Sequence, residues 1–226
     1  MVKKDLLIAG NWKCNKTKDQ AADFFRVFSD KIKEADKPPN VEAVIFPSLI
    51  HLDLANELVK KLSLPIQLGA QNISAFPEGA FTGEVAAGQL KEVAQYVLIG
   101  HSERRINQKE DDRLLAEKAA RAREAGLKII YCVSQLSDNL ADVADVIAYE
   151  PVWAIGTGKA ATPEDAEEKA RAIKNRQPKV KVLYGGSVSP ENIRDFLKMP
   201  SVDGVLPGKT SLDPALFYSM LKNAAF

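Results

Sequence analysis

Cysteine and histidine are scarce in this sequence, and both shortages narrow the chemistry that the protein can perform. Its 226 residues include two cysteines, Cys14 and Cys132, and two histidines, His51 and His101. They form no Cys-x-x-Cys pair and no Cys/His cluster, so the sequence gives no support for a bound metal ion. Free cysteines are typical of a reducing compartment, and we therefore expect a cytoplasmic protein.

Long hydrophobic runs and an excess of one charge are also lacking. The apolar runs extend over about four to six residues, whereas a helix that spans a bilayer needs roughly 20. Lysine and arginine total 31, aspartate and glutamate total 30, and the net charge is +1. We therefore expect no membrane and no nucleic acid among the partners, and any anion must be bound by local groups.

Short apolar segments alternate with longer amphipathic segments along the whole chain. The apolar segments predict eight strands, and most of them are apolar at nearly every position, as in parallel strands buried on both faces. The predicted strands are 6–10, 43–46, 66–70, 96–100, 128–132, 146–149, 181–184 and 204–206. Amphipathic spacing predicts helices at 17–35, 52–62 and 111–125. Three further helices are expected to start at Pro163, Pro190 and Pro214, capped by Thr162, Ser189 and Asp213.

This alternation of strands and helices predicts an α/β protein with one of two architectures, a doubly wound open sheet or a (β/α)8 barrel. No repeat or linker interrupts the series, so we expect a single domain over residues 1–226. The fifth and sixth predicted strands start only 18 residues apart, at 128 and 146. Because a parallel crossover needs a dozen or more residues, we expect a shortened helical unit between these two strands.

Polar residues and glycines follow six of the predicted strands at the point where each strand ends. They are Asn11 and Lys13, Gln71 and Asn72, His101 and Glu103, Glu150, Gly185 to Ser187, and Gly208 and Lys209. Each has an ordinary explanation on its own: an exposed lysine, a core histidine, a paired carboxylate or a tight turn. Their joint position favours an active site, because the carboxyl ends of parallel strands share one face of such folds.

The chemistry that these residues suit is proton abstraction next to a carbonyl group. Glu150 is the candidate base, while Lys13 and His101 can polarise the carbonyl oxygen and stabilise the developing enolate. The glycine-rich turns after the last two strands can bind phosphate through backbone N–H groups. The glycine-rich segment 151–161 is expected to act as a lid that excludes water.

Five motifs in the sequence resemble those of the triosephosphate isomerase family. They are GNWK at 10–13, GAFTGE at 79–84, GHSERR at 100–105, YEPVWAIGTGK at 149–159 and LYGGSV at 183–188, in family order. The resemblance implies a (β/α)8 TIM barrel that interconverts dihydroxyacetone phosphate and D-glyceraldehyde 3-phosphate through an enediol(ate), in glycolysis and gluconeogenesis. It also implies that the reaction needs no cofactor and no metal.

The resemblance assigns expected roles to individual residues. Glu150 matches the base and His101 matches the neutral electrophile, a pairing that is already established for this family. Lys13 would supply positive charge at the substrate, Asn11 would help to orient it, and Glu103 would support the site. The positions that match the family's phosphate-binding N–H groups are Gly156, Ser187, Gly208 and Lys209.

A homodimer is the assembly that the resemblance implies. The family's third loop corresponds to residues 71–84 here, with Thr82 near its tip. In a dimer of this kind the loop would insert beside Lys13 and His101 of a second copy. Cys14 would then lie near the interface.

The sequence departs from the family pattern in two places. PGKT at 207–210 stands where the family usually has Val-Gly-Gly-Ala. We expect a weakened phosphate site, because Pro207 has no N–H and Lys209 replaces a glycine that could adopt a positive φ. Ser134 and Gln135 replace a Gly-Glu pair, and the helix after them is expected to be cut to about 136–143.

These departures leave two alternatives to an active isomerase. One is a non-catalytic phosphate-binding or scaffold TIM barrel, disabled by the altered eighth loop or by the trimmed fifth unit. The other is a related barrel enzyme that acts on a different sugar phosphate. A non-catalytic barrel would bind a phosphorylated enediolate analogue without turnover, whereas a comparison of substrates would identify the second alternative.

Overall fold

Eight parallel strands close into a barrel in which each strand pairs with the next and β8 pairs with β1. The computed structural model describes residues 4–34, 37–136, 138, 142, 144–151 and 161–224. The strands are β1 Leu6–Asn11, β2 Val41–Phe46, β3 Gln67–Ala70, β4 Tyr96–Ile99, β5 Lys128–Val133, β6 Val146–Tyr149, β7 Lys181–Tyr184 and β8 Gly204–Val205. The (β/α)8 prediction is confirmed, and the open-sheet alternative is wrong because Leu7 and Ile8 pair with Gly204 and Val205.

The strands are apolar at nearly every position because both of their faces are buried. Alternate residues point into the barrel, where one apolar cluster fills the interior. Its members are Leu7, Ala9, Val44, Phe46, Tyr96, Leu98, Ile130, Cys132, Val146, Ala148, Leu183 and Leu206. The intervening residues, such as Ile8, Ile45 and Ile129, pack outward against the helices in a second and larger cluster.

The helices surround the barrel, and several begin where the sequence predicts. They are α1 Lys18–Glu34, α2 Leu52–Lys61, α3 Ala87–Lys91, α4 Ser102–Asn107, α5 Asp112–Glu124, α6 Pro163–Arg176, α7 Ile193–Leu197 and α8 Pro214–Asn223. The predicted caps of α6 and α8 are confirmed: Thr162 accepts from the Asp165 N–H, and Asp213 accepts from two N–H groups. No helix among the described residues is long and apolar enough to cross a bilayer.

The predictions for helices were wrong at α7 and missed α3 and α4. The helix expected from Pro190 begins three residues later, at Ile193. The residue before the helix is Asn192 rather than Ser189, and residues 190–192 form a turn in which the Asn192 side chain accepts a hydrogen bond from the Ser189 N–H. Helices α3 and α4 have only five and six residues, too few to show a helical period in sequence.

The short connection between β5 and β6 does not interrupt the ring. Ile130 pairs with Val146, and the register continues to Val133 and Tyr149. At the end of this connection, Asp145 accepts from the Ile129 N–H and returns its own N–H to the Ile129 carbonyl. The predicted helix at 136–143 lies mostly outside the described residues.

The amino end of the barrel holds a polar cluster of Glu42, Tyr96 and Lys128, each at or near the start of its strand. The Tyr96 hydroxyl donates to Glu42 at 2.7 Å, and the Lys128 ammonium lies 3.2 Å from the same hydroxyl oxygen. Burial and the neighbouring carboxylate of Glu42 raise the pKa of Tyr96. These three side chains form hydrogen bonds with one another at the amino end of the barrel.

Candidate active site

A cavity of about 650 Å³ opens at the carboxyl ends of the strands. The residues predicted from sequence that line it are Asn11, Lys13, His101, Glu150, Ser187, Gly208 and Lys209. Glu103 lines a smaller adjoining cavity of about 210 Å³, which Lys13 and His101 also border. Gly156 and most of the predicted lid at 151–161 lie outside the described residues.

Glu150 is buried at the end of β6 with both carboxylate oxygens engaged. Its Oε1 lies 3.0 Å from the His101 Nε2, and its Oε2 accepts from the Ser102 N–H at 3.0 Å. Burial raises the pKa of this carboxyl, but His101, the Ser102 N–H and Lys13 outweigh burial and hold the pKa below its usual value. Glu150 is therefore ionised at neutral pH.

The position of Glu150 depends on a glycine in the next strand-end turn. A Cβ at Gly185 would lie 2.8 Å from the Glu150 Cγ and 3.2 Å from the Tyr149 carbonyl oxygen. Such contacts are too short, so any side chain at 185 would push the carboxylate away. The sequence marks Gly185 as part of a tight turn but does not reveal this contact, which involves a residue 35 positions away in the chain.

His101 caps α4, and this location sets its hydrogen-bonding pattern. The Glu103 N–H donates to the His101 Nδ1 at 3.3 Å, so Nδ1 acts as an acceptor and Nε2 carries the proton that faces Glu150. Burial lowers the pKa of His101, whereas the paired Glu150 carboxylate raises it above its usual value. If the carboxylate moves to a substrate, it no longer raises the pKa of His101. Burial then favours the neutral ring.

Lys13 is held in a backbone conformation that lysine rarely adopts. Its φ is +54°, in the left-handed region. The Lys13 N–H donates to the Asn11 side chain at 2.9 Å, and its carbonyl accepts from Ser48 and Gln71, each at 2.9 Å. Sequence reasoning missed Ser48, which follows the end of β2 by two residues but was not included among the polar strand-end residues. This backbone geometry directs the ammonium to an ion pair with Glu103.

The altered eighth loop fits the barrel without the strain expected from its sequence. Lys209 begins a 3-10 turn, Lys209–Leu212, and is not among the described non-glycine residues with positive φ. The expectation that this lysine occupies a position requiring positive φ is therefore wrong. The Pro207 carbonyl accepts from the Asn11 N–H at 2.9 Å, and the Thr210 hydroxyl donates to the Val188 carbonyl at 2.8 Å.

Comparison with known proteins identifies the family of this chain. The sequence model of the family described as Triosephosphate isomerase matches residues 6–224. The chain belongs to the triosephosphate isomerase family. The triosephosphate isomerase of Thermus thermophilus is 41% identical, covering 97% of this chain and 98% of that protein. That of Mycoplasmopsis pulmonis is 42% identical, covering 96% and 97%, and that of Candida albicans is 39% identical, covering 97% and 98%.

As a member of the triosephosphate isomerase family, this chain is short. Its alignment with the Thermus thermophilus relative spans 252 positions, although the chain has 226 residues, so the relative carries residues that this chain lacks. The close spacing of β5 and β6 agrees with a reduction in the outer layer rather than in the ring. In the described part of the chain, no group of three or more His, Cys, Asp or Glu side chains could hold a metal ion.

Proposed function

We propose that the cavity at the carboxyl end of the barrel interconverts dihydroxyacetone phosphate and D-glyceraldehyde 3-phosphate, the reaction of the family, with Glu150 as the base. The observation that carries this proposal is the 3.0 Å contact between the His101 Nε2 and the Glu150 Oε1. It places an ionised carboxylate and a hydrogen-bond donor side by side in one cavity with Lys13. An isomerisation at adjacent carbons requires one base and one electrophilic hydrogen-bond donor that lie next to each other.

The first step begins when the substrate carbonyl replaces Glu150 as the acceptor of the His101 Nε2 proton. The released carboxylate oxygen takes the proton from the carbon next to the carbonyl. The electron pair of that C–H bond forms a carbon–carbon double bond, and negative charge develops on the carbonyl oxygen. His101 and Lys13 stabilise this charge through a hydrogen bond and a positive charge.

The second step returns the proton from Glu150 to the neighbouring carbon. A proton is also exchanged between the two substrate oxygens, so the aldose and the ketose have the same composition. One carboxylate serves both carbons, because its side chain faces the two adjacent atoms from one side of the substrate. Glu150 is therefore regenerated as an ionised base at the end of each turnover.

Asn11 and Glu103 support this chemistry by fixing Lys13. The Asn11 side chain accepts from the Lys13 N–H, and Glu103 forms the ion pair with its ammonium. The backbone strain of a non-glycine residue with positive φ costs about 1–3 kcal/mol, and such strain persists where the surroundings hold the residue in place. This supports a role of Asn11 and Glu103 in positioning the charge at the substrate.

The phosphate group is proposed to lie at the opposite end of the cavity from the Glu150 carboxylate. Ser187, Gly208 and Lys209 line the cavity from the turns after β7 and β8, and the first N–H groups of the turn Lys209–Leu212 have no preceding turn to bond. Gly156, from the segment outside the described residues, is proposed to complete the set. Backbone N–H groups bind phosphate without a basic surface, which suits the net charge of +1.

Tyr184 is proposed to anchor the C-terminal end of the lid. Its hydroxyl accepts from the Ala161 N–H at 2.8 Å, and its ring stacks on Phe196 with 4.4 Å between centroids. Ala161 is the residue that directly follows 152–160 in the chain. Sequence analysis did not single out Tyr184 for this role, because the contact joins a strand end to a loop 23 residues before it.

We also propose a homodimer formed through the loop that contains Thr82. Phe76 and Phe81 stack on this loop with centroids 4.3 Å apart, although both remain partly exposed. The smaller cavity beside Lys13, which Cys14 also lines, is the proposed receptor for the same loop of a second copy. Sedimentation of the wild-type protein and of the Phe76→Ser variant tests this assembly, since the variant should shift toward monomer.

A single domain over residues 1–226 and a cytoplasmic location complete the proposal. Both cysteines are free, with Cys132 buried and Cys14 exposed, and free thiols persist in a reducing compartment. A coupled assay with D-glyceraldehyde 3-phosphate tests the proposed reaction on the purified protein. Turnover that is lost in Glu150→Gln supports it, while binding of a phosphorylated enediolate analogue without turnover favours the non-catalytic alternative.

A further inference from the structure

Lys209 is one of four ionisable residues that line the cavity in the described part of the chain. Among the described residues that line the cavity, the ionisable side chains are Lys13, His101, Glu150 and Lys209. Glu150 is ionised, since its pKa is lowered. His101 is neutral when its Nδ1 accepts the Glu103 N–H. This leaves two ammonium groups and one carboxylate facing the cavity.

Lys13 faces both the cavity and Glu103, so its positive charge is shared between a bound ligand and this carboxylate. The Lys13 ammonium is paired with the Glu103 carboxylate. Taken together, Lys13, Glu103 and Glu150 carry a net charge of −1. A phosphate monoester is close to a dianion at neutral pH, so a second ammonium group at the cavity would strengthen its binding.

Lys209 can supply such an ammonium group. It is exposed at the start of the turn Lys209–Leu212 and adjoins Gly208, whose missing Cβ would lie 3.4 Å from the Lys13 Cε. Within the described chain, its ammonium has no ion-pair or side-chain hydrogen-bond partner. A lysine stem has four flexible carbons, so the ammonium can reach a group bound against Gly208.

The neighbouring Lys16 is not available for the same purpose. Its ammonium donates to the Leu212 carbonyl at 2.8 Å and lies 5.0 Å from the centroid of the Trp12 ring. Lys16 is therefore held outside the cavity wall by contacts with the barrel. Of the described lysines near the eighth loop, Lys209 is the one that combines exposure to the cavity with an uncommitted ammonium.

We propose that the Lys209 ammonium binds the phosphate group of the substrate directly and adds a positive charge to the side of the cavity formed by the eighth loop. The inference rests on the proposed function, because it assumes that a phosphate occupies the Gly208 end of the cavity. It also gives the PGKT sequence of the eighth loop a role in binding, beyond its compatibility with the fold. The second glycine of the family pattern offers only a backbone N–H, whereas Lys209 offers an N–H and a charge.

Binding of inorganic phosphate, measured by calorimetry, tests Lys209 without requiring turnover. We expect Lys209→Gln to raise the Kd for phosphate about fivefold, the upper range for one exposed charge, and Lys209→Glu to raise it by roughly the square of that factor. Lys209→Arg should retain wild-type binding. The dependence of log Kd on log salt should become shallower in Lys209→Gln, because one ionic contact is lost.

Lys61→Gln is the matched control, since it removes the same charge from an exposed lysine. Lys61 ends α2 and therefore lies at the amino end of the barrel, opposite the cavity. The Lys61→Gln variant should bind phosphate as the wild type does. In the coupled assay, the loss in Lys209→Gln should fall mainly on KM for D-glyceraldehyde 3-phosphate.

The outcomes separate this inference from the proposed function. Wild-type turnover together with phosphate binding within twofold of wild type in Lys209→Gln would overturn the role of Lys209 and leave the isomerase intact. Suppose that Lys209→Gln weakens phosphate binding but the wild-type protein shows no turnover. That result would support the anion site and contradict the proposed reaction. Thermal unfolding of each variant shows whether the fold is retained.

Discussion

The two ends of the barrel both contain clusters of ionisable groups, but they differ in how those groups are held. At the amino end, Glu42, Tyr96 and Lys128 contact one another through hydrogen bonds. At the carboxyl end, Glu150 and His101 form a pair that a substrate can replace, and Lys13 has a positive φ. Self-satisfied groups stabilise a fold, whereas groups whose partners can be exchanged can perform chemistry.

The largest effect should come from replacing the carboxylate at the carboxyl end. Glu150→Gln keeps the shape of the side chain but removes the base, and kcat should fall by about 10²–10⁴, the usual contribution of a general base. Glu42→Gln is the matched control at the amino end and should leave kcat near the wild-type value. Equal losses in both variants, measured in the coupled assay, would erase the functional difference between the two ends.

The second effect, in order of size, comes from the lysines at the two ends. Lys13→Ala removes charge where the enediolate forms, and kcat should fall by about 10²–10³, comparable to the loss of one oxyanion donor. Lys128→Ala removes a charge from the amino-end cluster and should change kcat little. Activity of Lys13→Ala near the wild-type level would contradict its proposed role at the transition state.

A third and smaller effect tests whether the position of the base matters as well as its presence. Gly185→Ala should displace the Glu150 carboxylate and lower kcat by about 10- to 100-fold, since small misplacements of a catalytic group are costly. Gly88→Ala is the control, because a Cβ there would meet only the flexible carboxylate of Glu78. An unchanged kcat in Gly185→Ala would show that the carboxylate tolerates displacement.

The smallest effect on turnover, and a distinct effect on stability, is expected for Tyr96→Phe. Loss of the hydroxyl should leave kcat unchanged and lower the free energy of unfolding by about 1 kcal/mol, the usual net value of one hydrogen bond. The raised pKa of Tyr96 contributes stability that is present below about pH 10 and is lost as the pH rises above the pKa of the unfolded chain.

Denaturation with urea across the pH range measures this difference. Wild-type stability should decline above about pH 10 more steeply than that of Tyr96→Phe, because only the wild type must keep this phenol protonated. The contribution of Glu150 to stability depends on pH in the opposite direction. Its lowered pKa contributes stability that is present above the ordinary glutamate pKa and is lost as the pH falls through the folded value. A parallel alkaline decline in both proteins would contradict the role of Tyr96.

The sequence predicted the ring and most of the cavity because their signals are local. Continuous apolar segments identified all eight strands within a few residues, and strand-end positions brought Asn11, Lys13, His101 and Glu150 to one face. The contact of Gly185 with Glu150 could not be predicted, because it depends on how two strand ends approach each other. The backbone angle at Lys209 was misjudged for a related reason, since the 3-10 turn after β8 is held in part by the Thr210 hydrogen bond to Val188, a residue outside that loop.

The uninterrupted pairing of β5 with β6 has a consequence for how this chain behaves in concentrated solution. A sheet that is not closed presents edge strands whose free N–H and C=O groups can recruit strands from other molecules. The register from Ile130 and Val146 to Val133 and Tyr149 leaves no such edge at the shortened connection. The outer layer can therefore lose residues without exposing a template for aggregation, which identifies the helical connections, rather than the strands, as the part of this barrel open to further shortening.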